Sequence, residues 1–297
     1  MNPPAKRRHP AGGLDSALGW EVRRGPLAVT GRTVLYALLV LVFAGPLYVV
    51  AVGAFSRVPD PSRISLLPNH LTLDNFTAAW HRGVFHYLLN SFVVVGAGLL
   101  LQVTVSVLAS YALARKRFRG MHLVMLAFLA TMMLPEEVLA IPLSLVLSDV
   151  PVVHLNLTGS LLGMIVPVGA WGFSILVMTE FMKEIPLELE EAARLDGAGE
   201  FQVFWRIILP LCRPALGVIG IFGFTMIWDQ YMLPLLVATD SSQFTLPLAL
   251  KTLRSDDQVG IGVLLAGSLL ALLPSVIAFL SMQRSFLRGL TAGAVKG

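Results

Sequence analysis

Apolar residues run along this chain in long blocks separated by short polar ones. The pattern is neither the two-residue alternation of a half-buried strand nor the narrow stripe of a surface helix. A helix needs about 20 predominantly apolar residues to cross a hydrocarbon core of about 30 Å. Six blocks meet that length: 33–55, 88–114, 121–147, 158–182, 212–237 and 260–282. Within lipid, backbone groups must pair inside their own segment, so each block is expected to be helical. Between them lie a polar loop at 56–87, a basic turn RKRFRG at 115–120 and a short loop with Asp149 and His154. A charged region at 183–213 and a polar loop at 238–259 complete the pattern. The expected fold is an all-α integral membrane protein with six transmembrane helices. It divides into a basic tail (1–32), a membrane domain (33–283) and a C-terminal tail (284–297).

Composition strengthens this picture. Of 297 residues, 56% are hydrophobic and 13% charged, about half the charged share of a soluble domain. The net charge of +4 does not point to nucleic acid, because the basic residues gather at the ends of apolar blocks. Of the 22 Lys and Arg, only Arg57, Arg63, Arg82, Lys251 and Arg254 fall outside the two tails, the 115–120 turn and the 183–213 region. The positive-inside rule therefore predicts that both termini and residues 183–213 face the cytoplasm. The first 32 residues lack the apolar core of a cleavable signal peptide. A single cysteine, Cys212, excludes an intrachain disulfide framework and a cysteine metal site.

Enzymatic chemistry finds no support. No GxxxxGK[ST] phosphate loop occurs, nor a nucleophile elbow, HExxH or paired zinc-ligand motif. Polar groups inside the apolar blocks mark where a pathway would lie. Trp228, Asp229, Gln230 and Tyr231 fall in MIWDQYMLP, with Asp229 placed well inside the fifth block; Glu136 and Glu137 follow Pro135 in the third. These residues can line a pathway, brace a helix contact or, for the glutamates, reach the membrane interface. Asn90, Ser91 and Gln102 suit interhelical hydrogen bonds better than ligand contact. Gly217, Gly220 and Gly223 permit close helix approach, and Pro135, Pro142, Pro167, Pro234 and Pro274 can kink or break their spans.

The 183–213 region reads as a local unit. Pro186 suits a first helical turn, and Glu188, Glu190 and Glu191 then lie near the positive end of the helix dipole. Gly197 can supply the left-handed residue that ends the helix. A second helix starts near Glu200, with Phe201, Phe204, Trp205 and Ile208 on one apolar stripe, and runs into the fifth block at Pro210. Helix, tight turn and amphipathic helix make either a compact projection or a solvated interhelical loop.

Here a resemblance enters. Glu191-Ala192-Ala193, three residues, Gly197, nine residues, Ile207, one residue and Leu209-Pro210 resembles the EAA loop of ABC importer permeases. LNSFVVV (89–95), YALARKRFRG (111–120), MLPEEVLAIPL (133–143) and QRSFLRGLTAGAVKG (283–297) resemble segments of the MalG-like carbohydrate permeases. WDQY (228–231) stands where that family commonly has Trp-Asn-Glu or similar, and its Asp departs from the pattern. The resemblance implies a type I importer permease in a bacterial or archaeal cell membrane. Residues 184–209 would be a coupling segment that inserts into a separate ATPase, with Glu191, Ala192, Ala193, Gly197, Ile207, Leu209 and Pro210 as its pattern positions. It further implies a second, MalF-like permease, two ATPase subunits holding ATP and Mg, and an extracytoplasmic solute-binding protein. The implied cargo is a sugar or oligosaccharide, with a glycerol phosphate ester as an alternative. Trp228 and Tyr231 would stack on a sugar face while Asp229 and Gln230 bond its hydroxyls. Glu188, Glu190 and Asp196 lie outside the pattern and fit a solvated face or the helix dipole. An ion-coupled carrier using Asp229, Glu136 and Glu137, or a non-transporting scaffold, are the competing readings.

Overall fold

The structure, a computed structural model, describes residues 26–57, 67, 70–256 and 258–294; the side chains of 26–28, 282 and 284–294 are not described. Most of the expected N-terminal tail (through residue 25), Arg63 and the last three residues lie outside that set. In chain order the helices are α1 (Pro26–Ala54), α2 (Asp74–His81), α3 (Val84–Arg115), α4 (Met121–Met133) and α5 (Glu136–Ser148). Then come α6 (Leu162–Ile165), a 3-10 turn (Pro167–Ala170), α7 (Gly172–Lys183), α8 (Leu187–Leu195) and α9 (Glu200–Val203). A π segment (Phe204–Ile208) leads into α10 (Leu209–Leu211), α11 (Arg213–Trp228) and α12 (Met232–Val237). A 3-10 turn (Ser241–Gln243), α13 (Leu246–Arg254) and α14 (Ile261–Ala294) finish the chain. Among the described residues no strand forms, only isolated bridges at Ser56–Leu71 and Val150–Leu155.

The six expected spans are not six straight helices. Val29–Ala54, Val84–Arg115, Leu162–Lys183 and Ile261–Ser281 are each long and apolar enough to cross a membrane. Two further pairs qualify only together: α4 with α5, bent by 113°, and Glu200–Leu211 with α11, bent by 70°. The count is therefore four, or up to six if each bent pair is one span. The first bend follows from Pro135, which has no N–H to continue a helix and drives the residue before it out of the α region. Leu134 is accordingly extended, at φ −83° and ψ 127°. The expected block 212–237 also breaks, because α11 ends at Trp228 and α12 begins at Met232. At the C-terminus, α14 continues through Ala294, across most of the stretch expected as a tail.

The chain divides into two units, one ending at Val49 and the other starting at Val50. Within the described residues the first holds only α1 up to that point. In the second, α3 is the central rod and packs against α7, α11, α13 and the turn at Pro167–Ala170. Three apolar clusters surround it: Val94, Met164, Trp228 and Val237; Met178, Met182, Val203 and Ile208; and Ala79, Val84, Leu246 and Val263. Polar side chains of α3 bind its neighbours, as their positions in the sequence suggested. Gln102 Nε2 donates to Ser174 Oγ at 2.5 Å, and Ser110 Oγ donates to the Ile175 carbonyl at 2.7 Å. At the other end Asn90 donates to the carbonyls of Ser242 and Phe244 at 2.7 and 3.0 Å, and Ser91 Oγ accepts the Leu246 N–H at 2.8 Å. Gly223 lets α11 approach α3 closely: a Cβ there would stand 2.9 Å from both Gln102 Oε1 and Leu99 Cδ1.

Candidate functional site

The candidate residues fall in two places: the projection at 184–209 and the cavity beside the two helix breaks. In the projection, Pro186 caps α8 from one position before its first residue. Glu191 and Ala192 face outward, and Ala193 is half-buried. After Asp196, Gly197 takes φ +86°, the left-handed conformation expected of it. The Ala198 N–H donates to the Ala193 carbonyl at 2.9 Å, and the Gly197 N–H donates to the Arg194 carbonyl at 3.0 Å. That pair of bonds is the Schellman ending of a helix, accompanied by apolar contact between the residues that flank it. Ala193 and Ala198 indeed pack on the same apolar cluster. Ala193 and Gly197 therefore belong to one turn, a local reason for their fixed spacing.

The second helix restarts at once. Gln202 Oε1 accepts the Gly199 N–H at 3.1 Å, half of a capping box. The next turn loosens into a π segment, where the Leu209 N–H donates to the carbonyl of Phe204, five residues earlier. Pro210 explains this register, since it has no N–H to offer the Arg206 carbonyl four residues back. Ile207 and Leu209 pack against the cluster formed by Val203, Phe204 and Ile208. The expected apolar stripe is thus split. Its buried edge is Val203, Phe204 and Ile208, while Phe201, 73% exposed, and Trp205 stay on the outside. Leu195, 89% exposed, is a further apolar side chain on the outside of the projection.

Glu190 corrects the sequence reading most sharply. It keeps its place in the first turn of α8 but is only 2% exposed, so a solvated face does not describe it. Its carboxylate pairs with the Arg115 guanidinium at the end of α3, and Arg194 Nη2 lies 3.7 Å away. Arg115 also donates to the Ile185 carbonyl at 2.9 Å, and Lys116 pairs with Glu200. One signal was present in the sequence: Glu190 lies three residues before the half-buried Ala193, on the same side of the short helix.

The second place is a cavity of about 830 Å³, lined by Glu136, Glu137, Trp171, Asp229, Gln230 and Tyr231 among others. The bend at Pro135 puts Glu136 and Glu137 on the first turn of α5, facing the break after α11. Asp229 lies in the break between α11 and α12, at the C-terminal end of α11. Gln230 Nε2 donates to Glu136 Oε1, joining the two breaks. Trp228 does not line the cavity. It is 2% exposed, donates from Nε1 to the Ala271 carbonyl at 3.1 Å, and stacks on Phe224 with ring centroids 5.6 Å apart. Tyr231 does line it, with Lys251 Nζ 5.1 Å from its ring centroid. None of the described lining residues is Lys or Arg, while three are carboxylates. The lining offers acceptors for hydroxyl groups and aromatic faces for stacking. Among the described residues no group of three His, Cys, Asp or Glu is placed to hold a metal ion.

Comparison with known proteins identifies the family. Residues 102–288 match the family described as "Binding-protein-dependent transport system inner membrane component". The chain is 33% identical over 278 residues to the probable ABC transporter permease protein YurM of Bacillus subtilis, covering 93% of this chain and 91% of YurM. It is 31% identical over 271 residues to the arabinooligosaccharides transport system permease protein AraQ of the same organism, covering 89% and 95% of the two chains. It is 33% identical over 284 residues to the sn-glycerol-3-phosphate transport system permease protein UgpE of Yersinia pestis, covering 91% and 98%. In fold it is similar to a chain from the crystal structure of a bacterial ABC transporter involved in the import of the acidic polysaccharide alginate. The TM-score is 0.76 at 21% identity, over 96% of this chain and all of that one.

Proposed function

The chain belongs to the family of binding-protein-dependent transport system inner membrane components, and from that premise we propose that it is a MalG-like subunit importing a sugar or oligosaccharide. It is a multi-pass membrane permease of the ABC importer class, a transport component rather than an enzyme in itself. A second, MalF-like permease completes the pathway with it. Two separate ATPase subunits bind ATP and Mg, and an extracytoplasmic binding protein delivers cargo to the outer mouth. Both termini and residues 184–209 face the cytoplasm, as the placement of Lys and Arg supports.

The observation that carries this reading is the projection itself. Glu191 and Ala192 stand exposed on a nine-residue helix stopped by the Schellman turn at Gly197. An exposed carboxylate suits a charge-assisted contact, and the small neighbour lets another chain approach the backbone. Leu195 and Phe201 add exposed apolar area to the projection. At the cavity, Glu136, Glu137, Asp229 and Gln230 accept or exchange hydrogen bonds with hydroxyls, and Tyr231 and Trp171 offer ring faces. Three carboxylates also oppose an anionic cargo, which sets this cavity against a phosphate ester. The names of AraQ and of the diacetylchitobiose permease DasC of Streptomyces coelicolor point the same way.

The test is uptake of labelled oligosaccharide into vesicles holding the four membrane and ATPase subunits plus binding protein. Uptake should require ATP on the side of the membrane that holds the ATPase subunits and persist when an uncoupler collapses the proton gradient. Uptake that stops with the uncoupler while ATP is maintained would overturn the reading in favour of an ion-coupled carrier.

A further inference from the structure

Glu190 and Glu191 are neighbours with opposite surroundings. Glu191 is exposed, whereas Glu190 turns inward onto Arg115, with side-chain exposures of 3% and 5% for the pair. We propose that the Arg115–Glu190 ion pair is the fastening through which α8 moves α3, making both of them positioning residues for transport coupling. The inference rests on reading 184–209 as the ATPase-docking segment.

Three observations carry it. First, a buried charge left without its partner is strongly unfavourable, so α8 and α3 separate only at high cost. Second, the same guanidinium donates to the Ile185 carbonyl at 2.9 Å, gripping the chain just before α8 as well as α8 itself. Lys116 and Glu200 add an exposed pair on the other side of the turn. Both ion pairs of the projection with another helix or the turn after it thus converge on one end of α3. Third, α3 can deliver what it receives. It is a single helix from Val84 to Arg115, 32 residues without a proline, and so spans about 48 Å. Along it, Ser110 and Gln102 bond α7, and Gly98 lies against Val168 and Ile227, elements adjoining the cavity. Its far end holds the backbone of residues 242–246 through Asn90 and Ser91. A displacement of α8 thus reaches both the cavity and the opposite loop through one rod.

The experiment uses the complete importer in vesicles, with labelled sugar and binding protein. The double variant Arg115→Gln/Glu190→Gln removes both charges together, so that no buried charge is left unpaired, and puts an amide in the place of each charged group. Three quantities are read: complex assembled, ATP hydrolysed, and sugar taken up per ATP. The expected result is a normally assembled complex that still hydrolyses ATP but whose uptake per ATP falls about tenfold, within the range of ordinary intersite coupling. Arg115→Lys, which keeps the charge but loses the second grip, should fall between the double variant and the wild type. Unchanged uptake per ATP in the assembled double variant overturns the proposal. So does failure of the double variant to assemble, because the pair would then serve folding alone. Failure of the parent reading shows separately, as the absence of ATP-driven uptake by the wild type in the same vesicles.

Discussion

Gly197 separates what this chain requires from what a docked partner requires. Its φ of +86° lies where side chains are disfavoured, yet an added Cβ would meet nothing within 4 Å. Within the chain, then, only backbone strain opposes substitution, at about 1–2 kcal/mol for an L-residue held in the left-handed region. That cost should make the end of α8 open about five- to thirtyfold more often in Gly197→Ala. Asn tolerates the left-handed region better, so Gly197→Asn should open less often than Gly197→Ala. The amides of Gly197 and Ala198 report directly, because they donate to the Arg194 and Ala193 carbonyls at 3.0 and 2.9 Å. Hydrogen exchange on the purified chain in lipid nanodiscs, read at those amides, gives the first number. ATP-driven uptake by the assembled importer gives the second. If a partner closes over the turn, Gly197→Asn should lose more coupling than its exchange accounts for, since its side chain enters space that this chain leaves empty. Equal exchange in Gly197→Ala and the wild type would refute the strain. Wild-type uptake in Gly197→Asn would refute occupancy of that space, and full uptake in Gly197→Pro would count against the docking role of the turn.

Gly163→Ala should lower stability by about 1–3 kcal/mol through overpacking, because the new methyl would overlap the Leu157 carbonyl oxygen and crowd Val237 Cγ1 at 2.9 Å. Thermal unfolding in detergent checks this, and an unchanged midpoint would mean that the 157–163 turn yields freely. Neutralising the cavity with Glu136→Gln, Glu137→Gln and Asp229→Asn together should raise uptake of an acidic sugar relative to a neutral one, measured in competition; an unchanged ratio would remove charge as a selector. Asp240 holds the 241–243 turn: hydrogen bonds from the Ser242 hydroxyl, then from the backbone N–H groups of Ser242 and Ser241, keep its carboxyl below the usual carboxylate range. A lowered folded-state value contributes stability that is present above the unfolded value and lost as pH falls through the folded one. Protection factors at 242–244 should therefore decline on acidification below the ordinary aspartate range, and Asp240→Asn should flatten that dependence.

Local features of this chain were legible because their causes are local. Apolar runs long enough to cross lipid marked the helices, and Gly197 marked its own turn because few other residues accept a positive φ. What escaped depends on contacts between segments far apart in the sequence. Glu190 looked like one more carboxylate near a helix N-terminus until Arg115, on another helix, was placed against it. Trp228 looked like a stacking platform, but Ala271 and Phe224 claim its N–H and its face. Pro135 was visible as a possible kink, whereas the break after Trp228 was not, since Pro234, the proline expected to kink that block, lies inside α12. Hydrophobic length alone could not reveal a 113° bend, since it measures apolarity and not direction.

The polar seam along α3 has a physical necessity behind it. Between helices in lipid there is little hydrophobic driving force, because acyl chains are as apolar as leucine. Association then depends on close packing and hydrogen bonds, and a single intramembrane hydrogen bond contributes only about 0.6 kcal/mol on average. No one of Ser91, Gln102 or Ser110 can make α3 move as a unit with its neighbours. Several of them along one helix can, particularly where Gly98 and Gly223 bring backbones together. The Arg115–Glu190 pair sits at the end of that seam and differs in kind: two buried opposite charges face one another, so neither can be released singly at low cost. A chain of weak links inside the membrane thus ends in one strong link at its edge. That is the arrangement required if displacement enters at α8 and must be shared by every helix that α3 touches.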